Sequence, residues 1–370
     1  MVLIRCETPY QLFNIINIKM TILKDVEADV VFSSASNLAD FKESVEKLGL
    51  FRKVYLSEDN LTNSLAIAHL PNSEKKRLLS HIDKVLIPGE WQNIEYDEMY
   101  IPALTNMYTY AIFYNFYRQF KTTPSVIIYE DGTDTYSRNN KTIAIQQSAK
   151  CLYKSEVPES QRFENRMSRI MVYEPEVCYN KSKLPITAIP KVSPEVLAAL
   201  ESVFGTAKLP EEKFIFFSEP FHDEFINNNE ADLLDHIAGI VGKDNIIVKL
   251  HPRCTFDQFS RKGYKIFPDS KIPWEIMCSD PAVSQKVLIA VSSTTLFSPK
   301  LVFNQKLNSI MLMKLMTKNR NFASQPDFIR LVKGVNSVFN RDERNVFSPN
   351  HIDELDMALD YYNMMPEDSN

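Results

Sequence analysis

The sequence lacks the glycine-rich loops that bind phosphates in many nucleotide-dependent proteins. Neither GxGxxG nor GxxxxGK[ST] occurs in the 370 residues, so a dinucleotide cofactor and a P-loop hydrolase have no support. The DxD triplet is also absent. Such a triplet supplies carboxylates to a divalent cation on a substrate diphosphate. Its absence favours metal-independent chemistry with a leaving group of modest charge, such as a nucleoside monophosphate.

Cysteine is sparse. The five residues are odd in number and scattered, at Cys6, Cys151, Cys178, Cys254 and Cys278, with no CxxC spacing. A disulfide framework or a structural zinc site is therefore not expected. We interpret all five as reduced thiols, which predicts a cytoplasmic protein.

Long hydrophobic runs and an excess of basic charge are missing too. No run approaches the ~20 apolar residues of a spanning helix, and Met1 leads into Val2–Ile4 without the basic region and cleavage site of a signal peptide. We therefore expect neither secretion nor membrane spanning, while peripheral attachment remains open. The net charge of −5 argues against a nucleic-acid partner.

Short apolar runs alternate with helical patterns along the whole chain, which predicts parallel βαβ units. The predicted strands are Val2–Cys6, Ala28–Phe32, Val54–Leu56, Lys84–Pro88, Glu98–Ile101, Val126–Tyr129, Phe214–Phe217, Ile246–Leu250, Lys265–Phe267, Val287–Val291 and Ser309–Leu312. Prolines mark residues 184–212 as a connection. We expect an α/β protein of two Rossmann-like domains facing across a ligand cleft: residues 1–190 on the acceptor side, 210–345 binding the nucleotide, and 346–370 as a C-terminal helix and tail.

One predicted helix, Met107–Phe120, is strongly aromatic. Tyr110, Phe113, Tyr114 and Tyr117 recur at i, i+3, i+4 and i+7 and so share one face. A core helix under the sheet is the simpler interpretation. The alternative is a surface for an acceptor, a membrane or a second copy of the chain.

Three short polar segments directly follow predicted strands: Glu130-Asp131-Gly132, His251-Pro252-Arg253 and Ser292-Ser293-Thr294. Ligands of open α/β sheets lie beyond the carboxyl ends of strands, so these segments are expected to converge. An acid, a histidine and hydroxyls suit sugar transfer from a nucleotide. One group takes a proton from the acceptor, and the others stabilise the phosphate leaving group.

Each segment also has a purely structural interpretation. Asp131 before Gly132 can be a general base presented by a tight turn, or an ordinary Asp-Gly turn. His251 and Arg253 can hold and protonate a phosphate, or cap a strand end. Ser292 and Ser293 can bind an anion at a helix start, or cap that helix. Glu275, in the loop Phe267–Glu275, can accept hydrogen bonds from ribose hydroxyls.

Taken in order, these motifs resemble bacterial sialyltransferases, particularly glycosyltransferase family 52, whose members make lipooligosaccharide or capsule. The pattern is a D/E-D-G segment, an H-P segment and a serine pair, here Glu130–Gly132, His251-Pro252 and Ser292-Ser293. The opening Cys6–Gln11 and the segment Ile272–Glu275 are similar to that family's start and its nucleotide loop.

The resemblance implies a GT-B arrangement, CMP-sialic acid as donor, no cofactor or metal, and an inverting reaction on a galactoside-type terminal sugar of a surface glycan. It also implies a role for each matching residue. These are Asp131 as the base with Gly132 beside it, His251 as the acid or phosphate partner, Ser292 and Ser293 on the CMP phosphate, Glu275 on the ribose, Thr8 and Gln11 toward the donor sugar, and Arg253 on an anionic group of the donor.

Several alternatives stay open. The base can instead be one of four acids after a second-domain strand, namely Glu219, Asp223, Glu224 and Glu230. The donor can be a UDP-sugar carrying glucose or galactose. The same two-domain fold also suits a nucleotide-sugar epimerase, a hydrolase or a non-catalytic assembly protein. The resemblance implies a lipid-linked acceptor, and with it loose contact with the inner face of the membrane; a homodimer also remains open.

Overall fold

The computed structural model describes residues 1–34, 37–57, 71, 73, 94–103, 105, 107–137, 157–178, 184–219, 229–251, 254, 257–268, 272–316, 326–339 and 346–365. The chain divides into two compact units. The first comprises Met1–Pro190 with Ala198–Val203, and the second comprises Lys191–Leu197 with Phe204–Asn370.

The first unit is built on a parallel sheet whose described strands have the order β3-β2-β1-β4-β5-β6-β7. The strands are β1 (Val2–Cys6), β2 (Ala28–Ser33), β3 (Lys53–Ser57), β4 (Glu98–Pro102), β5 (Ser125–Tyr129), β6 (Met167–Val172) and β7 (Ile186–Ala188). The order 3-2-1-4-5-6 is that of a Rossmann fold, in which the direction of winding reverses between β1 and β4.

Helices cover this sheet, and one of them is almost wholly buried. The helix Pro9–Thr21 begins where Thr8 accepts a hydrogen bond from the Gln11 N–H, with Pro9 at the first helical position. Its buried asparagines are hydrogen-bonded, as burial of polar groups requires: Asn14 accepts from the Tyr173 hydroxyl at 3.0 Å. The other described helices of this unit are Lys42–Lys47, Met107–Phe120, Thr133–Ser137 and Phe163–Arg166.

The second unit repeats the same arrangement. Its described strands form a parallel sheet in the order β10-β9-β8-β11-β12-β13. They are β8 (Phe214–Phe217), β9 (Ile246–Lys249), β10 (Lys265–Ile266), β11 (Val287–Ala290), β12 (Asn308–Met311) and β13 (Val346–Phe347). Winding reverses between β8 and β11, so the carboxyl ends of these two strands mark the expected ligand edge.

Helices of the second unit pack around this sheet. The helix Ile352–Met364 packs on Glu230–Val241, where the His236 ring and the Asp356 carboxylate lie 2.6 Å apart. The remaining described helices that lie wholly in this unit are Gln258–Arg261, Trp274–Met277, Ser298–Phe303 and Pro326–Phe339. The helix Pro194–Phe204 has residues in both units.

The predicted fold class is confirmed: the chain contains two Rossmann-like α/β units, each with a parallel sheet. Most predicted strands form within a residue of their expected bounds. The segment 184–212, predicted as a connection, contains the edge strand β7, whose residues are only partly buried. The predicted strand Lys84–Pro88 lies outside the described residues, and the cleft between the domains stays a prediction.

Some further elements were not predicted. Strand β6 buries only its last three residues, and β13 has only two residues. The helix Pro326–Phe339 was not predicted. A 3₁₀ turn, Asn37–Phe41, leads into the α-helix Lys42–Lys47.

The aromatic helix Met107–Phe120 is a core helix. Tyr110, Phe113 and Tyr114 are at most 3% exposed. Phe163 packs against two of them, with ring centroids 4.5 Å from Tyr110 and 5.0 Å from Phe113. These three rings are therefore inside the first unit and offer no surface for an acceptor, a membrane or a second copy. Tyr117, at the end of the same face, is only partly buried.

Candidate functional site

The acidic turn of the first unit follows β5 directly. Gly132 has a φ of 85°, a conformation that side chains rarely adopt, which explains the glycine here. The Asp131 N–H donates to Thr135 Oγ1 at 2.8 Å, and the Gly132 N–H donates to Glu130 Oε1 at 3.1 Å. The turn is thus held by its own side chains, and Asp131 is left half-buried at the carboxyl end of the sheet.

Gln11 connects this turn to the end of β1. Its Oε1 accepts from the Glu7 N–H at 2.6 Å, and its Nε2 donates to Asp131 Oδ1 at 2.7 Å. Because the backbone N–H of Glu7 can only donate, it determines which end of the amide faces Asp131. Gln11 is 2% exposed, so its predicted contact with a donor sugar stays a prediction, whereas its contact with Asp131 is direct.

Glu130, beside Asp131, is fully buried. Burial raises the pKa of Glu130 to about 8, because a charged carboxylate is poorly solvated there. The Tyr10 hydroxyl lies 3.5 Å from its Oε1, and Asn14 Nδ2 donates to its backbone carbonyl at 3.1 Å. At neutral pH Glu130 is therefore mostly uncharged, and it does not repel the neighbouring Asp131 carboxylate.

Arg5 and Glu7 form a buried charged group at the end of β1, which the sequence-based predictions did not include. Arg5 is fully buried, with Nη1 donating to Ser57 Oγ at 2.8 Å and Nε lying 3.5 Å from Glu7 Oε1. Glu7 Oε1 also accepts from Thr105 Oγ1 at 2.7 Å. The sequence signal is an arginine inside an otherwise apolar strand, since buried charges require partners. This network fixes Glu7, on which Gln11 depends.

In the second unit, β8 is followed by two polar residues, Ser218 and Glu219. Ser218 is 4% exposed, and its hydroxyl accepts from the His251 N–H at 3.0 Å. The Ser218 N–H in turn donates to the Lys249 carbonyl at 3.1 Å. The backbone of His251 is therefore tied to the central strand, and its side chain is half-buried at the carboxyl edge of the sheet.

The serine pair follows β11 and contacts the same edge. The Ser292 N–H donates to Glu219 Oε1 at 3.0 Å, and Ser292 Oγ lies 3.4 Å from the same oxygen. Ser293 Oγ accepts from the Thr295 N–H at 3.4 Å and so caps the 3₁₀ turn Thr294–Leu296. A hydroxyl that accepts one bond keeps its proton for another acceptor, so capping and anion binding are compatible at Ser293.

Glu230 is the first residue of the helix Glu230–Val241 and contacts the backbone of Glu219. Its Oε1 accepts from the Glu219 N–H at 2.9 Å. Glu230 is 1% exposed. Burial, with the Glu219 charge adding to it, raises the pKa of Glu230 to about 8. Glu230 is therefore a mostly neutral hydrogen-bond partner at neutral pH, with no exposed carboxylate for an acceptor.

Glu275 is also buried, at 5% exposure. Ser298 Oγ donates to its Oε1 at 2.7 Å, and burial raises the pKa of Glu275 above its ordinary value. Close by, Lys249 Nζ donates to the Ile272 carbonyl at 3.3 Å. The segment around Ile272 is thus packed against the end of β9, and the ribose contact of Glu275 stays a prediction.

The structure places the predicted residues in one group per unit. The carboxyl edge of the first sheet carries Thr8, Gln11, Asp131 and Gly132. The carboxyl edge of the second sheet carries His251, Ser292 and Ser293, and Glu219 is hydrogen-bonded to Ser292 there. Arg253, Asp223 and Glu224 lie outside the described residues.

Within the described part of the chain, no group of three or more His, Cys, Asp and Glu side chains has a metal-binding arrangement. No helix among the described residues is long and apolar enough to cross a membrane.

Comparison with known families identifies the chain. The model of a family described as alpha-2,8-polysialyltransferase (POLYST) matches residues 3–310. This protein belongs to that family. The match covers the first sheet, the second sheet apart from its edge strand β13, and all three motif segments. The family is one of bacterial sialyltransferases. It therefore confirms the resemblance to bacterial sialyltransferases and the expectation that the chain is a glycosyltransferase.

Solved structures support the fold of this polysialyltransferase-family member. The kitacinnamycin glycotransferase aligns with a TM-score of 0.53 at 10% identity, over 98% of this chain and 90% of its own. The calicheamicin glycosyltransferase CalG4 aligns with a TM-score of 0.51 at 7% identity, over 98% and 90%. Arabidopsis thaliana UGT89C1, complexed with UDP, gives 0.51 at 12% identity, over 99% and 91%. At such identities only the fold is shared. No curated protein sequence matches the chain significantly.

Proposed function

We propose that this protein transfers sialic acid from CMP-sialic acid to a terminal sugar of a surface glycan, with inversion and without a metal. The observation that carries the proposal is the family match over residues 3–310. The geometry supports it, because His251 and the serine pair lie at one sheet edge, where Rossmann folds bind nucleotides. The lack of a DxD triplet agrees with a monophosphate leaving group.

In the proposed reaction, an acceptor hydroxyl attacks the anomeric carbon of the sialyl group. A carbon–oxygen bond to the acceptor forms while the bond to the CMP phosphate oxygen breaks. Asp131 takes the hydroxyl proton, and His251 neutralises the charge that grows on the departing phosphate. Ser292 and Ser293 belong to the phosphate site, and Glu275 to the ribose site. Arg253 neutralises an anionic group of the donor.

Asp131 is preferred as the base over the described alternatives. Its carboxylate is half-buried and is oriented by Gln11. Glu219 is already bonded to Ser292, and Glu230 is buried and mostly protonated at neutral pH. Glu130 is the competitor that the structure adds, because it lies beside Asp131 in the same turn, where its Oε1 accepts from the Gly132 N–H.

The first experiment is a donor screen. CMP-sialic acid and matched UDP- and GDP-sugars are compared for thermal stabilisation of the protein and for nucleotide release with and without an acceptor. We expect acceptor-dependent release of CMP alone. If only UDP-sugars turn over, the sialyl donor is wrong, and release of CMP without an acceptor would instead indicate a hydrolase.

The acceptor is tested in the same assay. The resemblance to glycosyltransferase family 52 implies a galactoside-type terminal sugar, whereas the family description favours a terminal sialic acid joined through an alpha-2,8 linkage. Oligosaccharides that differ only in this terminal sugar, free or lipid-linked, separate the two. A cytoplasmic location at the inner membrane face remains part of the proposal, and membrane dependence is measured by adding vesicles.

Single substitutions distinguish the roles of Asp131, Glu130 and His251. We expect Asp131→Asn and His251→Ala to reduce turnover by roughly 100-fold or more, in line with the contribution of acid–base groups. Asp25→Asn and His351→Ala change exposed residues of the same types and serve as controls. If Glu130→Gln abolishes turnover while Asp131→Asn retains it, the base is Glu130.

A further inference from the structure

Glu219 occupies an unexpected position for a carboxylate. It follows the central strand β8 and bonds directly to Ser292, one of the pair proposed to bind the donor phosphate. A carboxylate repels a phosphate, so its charge by itself weakens donor binding at this site. Its location therefore calls for a role that offsets the repulsion.

The contacts of Glu219 indicate what that role is. Its Oε1 accepts from the Ser292 N–H at 3.0 Å, and the Ser292 hydroxyl lies 3.4 Å from the same atom. Its own N–H donates to the buried Glu230 carboxyl at 2.9 Å. The backbone N–H of Glu219 is thus hydrogen-bonded to Glu230, and its side chain is hydrogen-bonded to Ser292. These contacts join the loop after β11 to the end of β8.

The two serines of the pair therefore differ in their hydrogen-bond partners. The hydroxyl and N–H of Ser292 both point to Glu219, whereas Ser293 accepts from the Thr295 N–H and keeps its hydroxyl proton. We propose that Glu219 is a positioning residue, which holds Ser292 so that the Ser293 hydroxyl is presented to the donor phosphate. The identity of that phosphate as the one in CMP rests on the proposed function.

The test compares a nucleotide with its nucleoside. Binding of CMP and of cytidine is measured by calorimetry for the wild type, Glu219→Ala and Glu219→Gln. We expect Glu219→Ala to weaken CMP on the order of 10- to 100-fold, the effect of losing a hydrogen bond to a charged group, while cytidine binding is unchanged. Glu219→Gln keeps an oxygen for the Ser292 N–H and loses the charge, so CMP should bind at least as tightly as to the wild type.

The sign of the effect makes the test decisive. If Glu219 only repelled the phosphate, Glu219→Ala would tighten CMP binding, and that result overturns the proposal. An equal loss of CMP and cytidine also overturns it, because it indicates general damage to the unit. Glu211→Ala, an exposed residue before β8 in the same unit, controls for the change in net charge.

The serine pair supplies a second measurement that does not depend on Glu219→Ala folding well. Ser293→Ala should weaken CMP more than Ser292→Ala, because the Ser292 N–H still bonds to Glu219 in the latter. The reverse order contradicts the division of roles. If the wild type binds UMP rather than CMP, the donor assignment fails, and the same variants with UMP and uridine still test the role of Glu219.

Discussion

Replacing Glu230 with glutamine is expected to abolish most of the decrease in stability that the second unit undergoes between pH 6 and pH 9. The carboxyl is 1% exposed, and burial raises its pKa from 4.5 to about 8. Between these values the folded state retains a proton that the unfolded chain has released. Stability therefore falls as the pH rises, and the loss is complete once the pH exceeds the folded pKa.

Two opposing effects act on Glu230, and their magnitudes decide the sign. It is the first residue of its helix, where the helix dipole favours a negative charge by about 0.3–1 kcal/mol. A pKa of about 8 in place of 4.5 corresponds to about 5 kcal/mol in favour of the protonated form. Burial therefore dominates. Between pH 6 and pH 9 the linkage relation gives a loss of about 2.5 kcal/mol, or roughly 5–10 °C in Tm for a unit of this size.

The assay is thermal unfolding at pH 6, 7.5 and 9, followed by circular dichroism. Glutamine is neutral at every pH and keeps an oxygen for the Glu219 N–H, so the Tm of Glu230→Gln should depend less on pH than that of the wild type. Glu195→Gln makes the same change at an exposed position of the second unit and should behave as the wild type. If Glu230→Gln follows the wild-type pH dependence, the carboxyl is already ionised in the folded protein and the reasoning from burial is wrong.

Three further predictions follow from the candidate site. Gln11→Glu places a second carboxylate 2.7 Å from Asp131, so we expect the acid limb of the pH–rate profile to move upward by about one pH unit or more; an unchanged limb excludes Asp131 as the group that titrates there. Ser218→Ala removes the acceptor of the His251 N–H, and kcat should fall roughly tenfold while CMP affinity is retained; an equal loss of CMP affinity contradicts a specific role at the histidine. Addition of EDTA should leave the transfer rate unchanged, and a loss that Mg²⁺ restores means that the reaction needs a metal.

Local patterns were sufficient to predict the elements that carry the motifs. The strands β1, β5, β8, β9 and β11 are short apolar runs whose residues are buried on both faces, as expected in parallel sheets covered by helices. Because each motif begins within two residues of the end of one of these strands, its place at a carboxyl edge could be predicted.

Contacts between distant segments could not be predicted in this way. Gln11 and Asp131 are 120 positions apart, and Glu219 and Ser292 are 73 apart. Nothing local to either member of a pair specifies the other. The edge strand β7 was missed for a related reason, since a partly buried strand has little apolar pattern of its own and forms through pairing with β6.

The amino-acid sequence by itself determined the strand–helix alternation, the residue types of each motif and the turn at Gly132, because apolar periodicity and glycine's backbone freedom act over a few neighbouring residues. Only the tertiary structure decided that Glu130 and Glu230 are buried and mostly protonated at neutral pH, that Gln11 contacts Asp131, and that Glu219 holds Ser292. These properties depend on desolvation and on hydrogen bonds between segments that come together only when the sheets form.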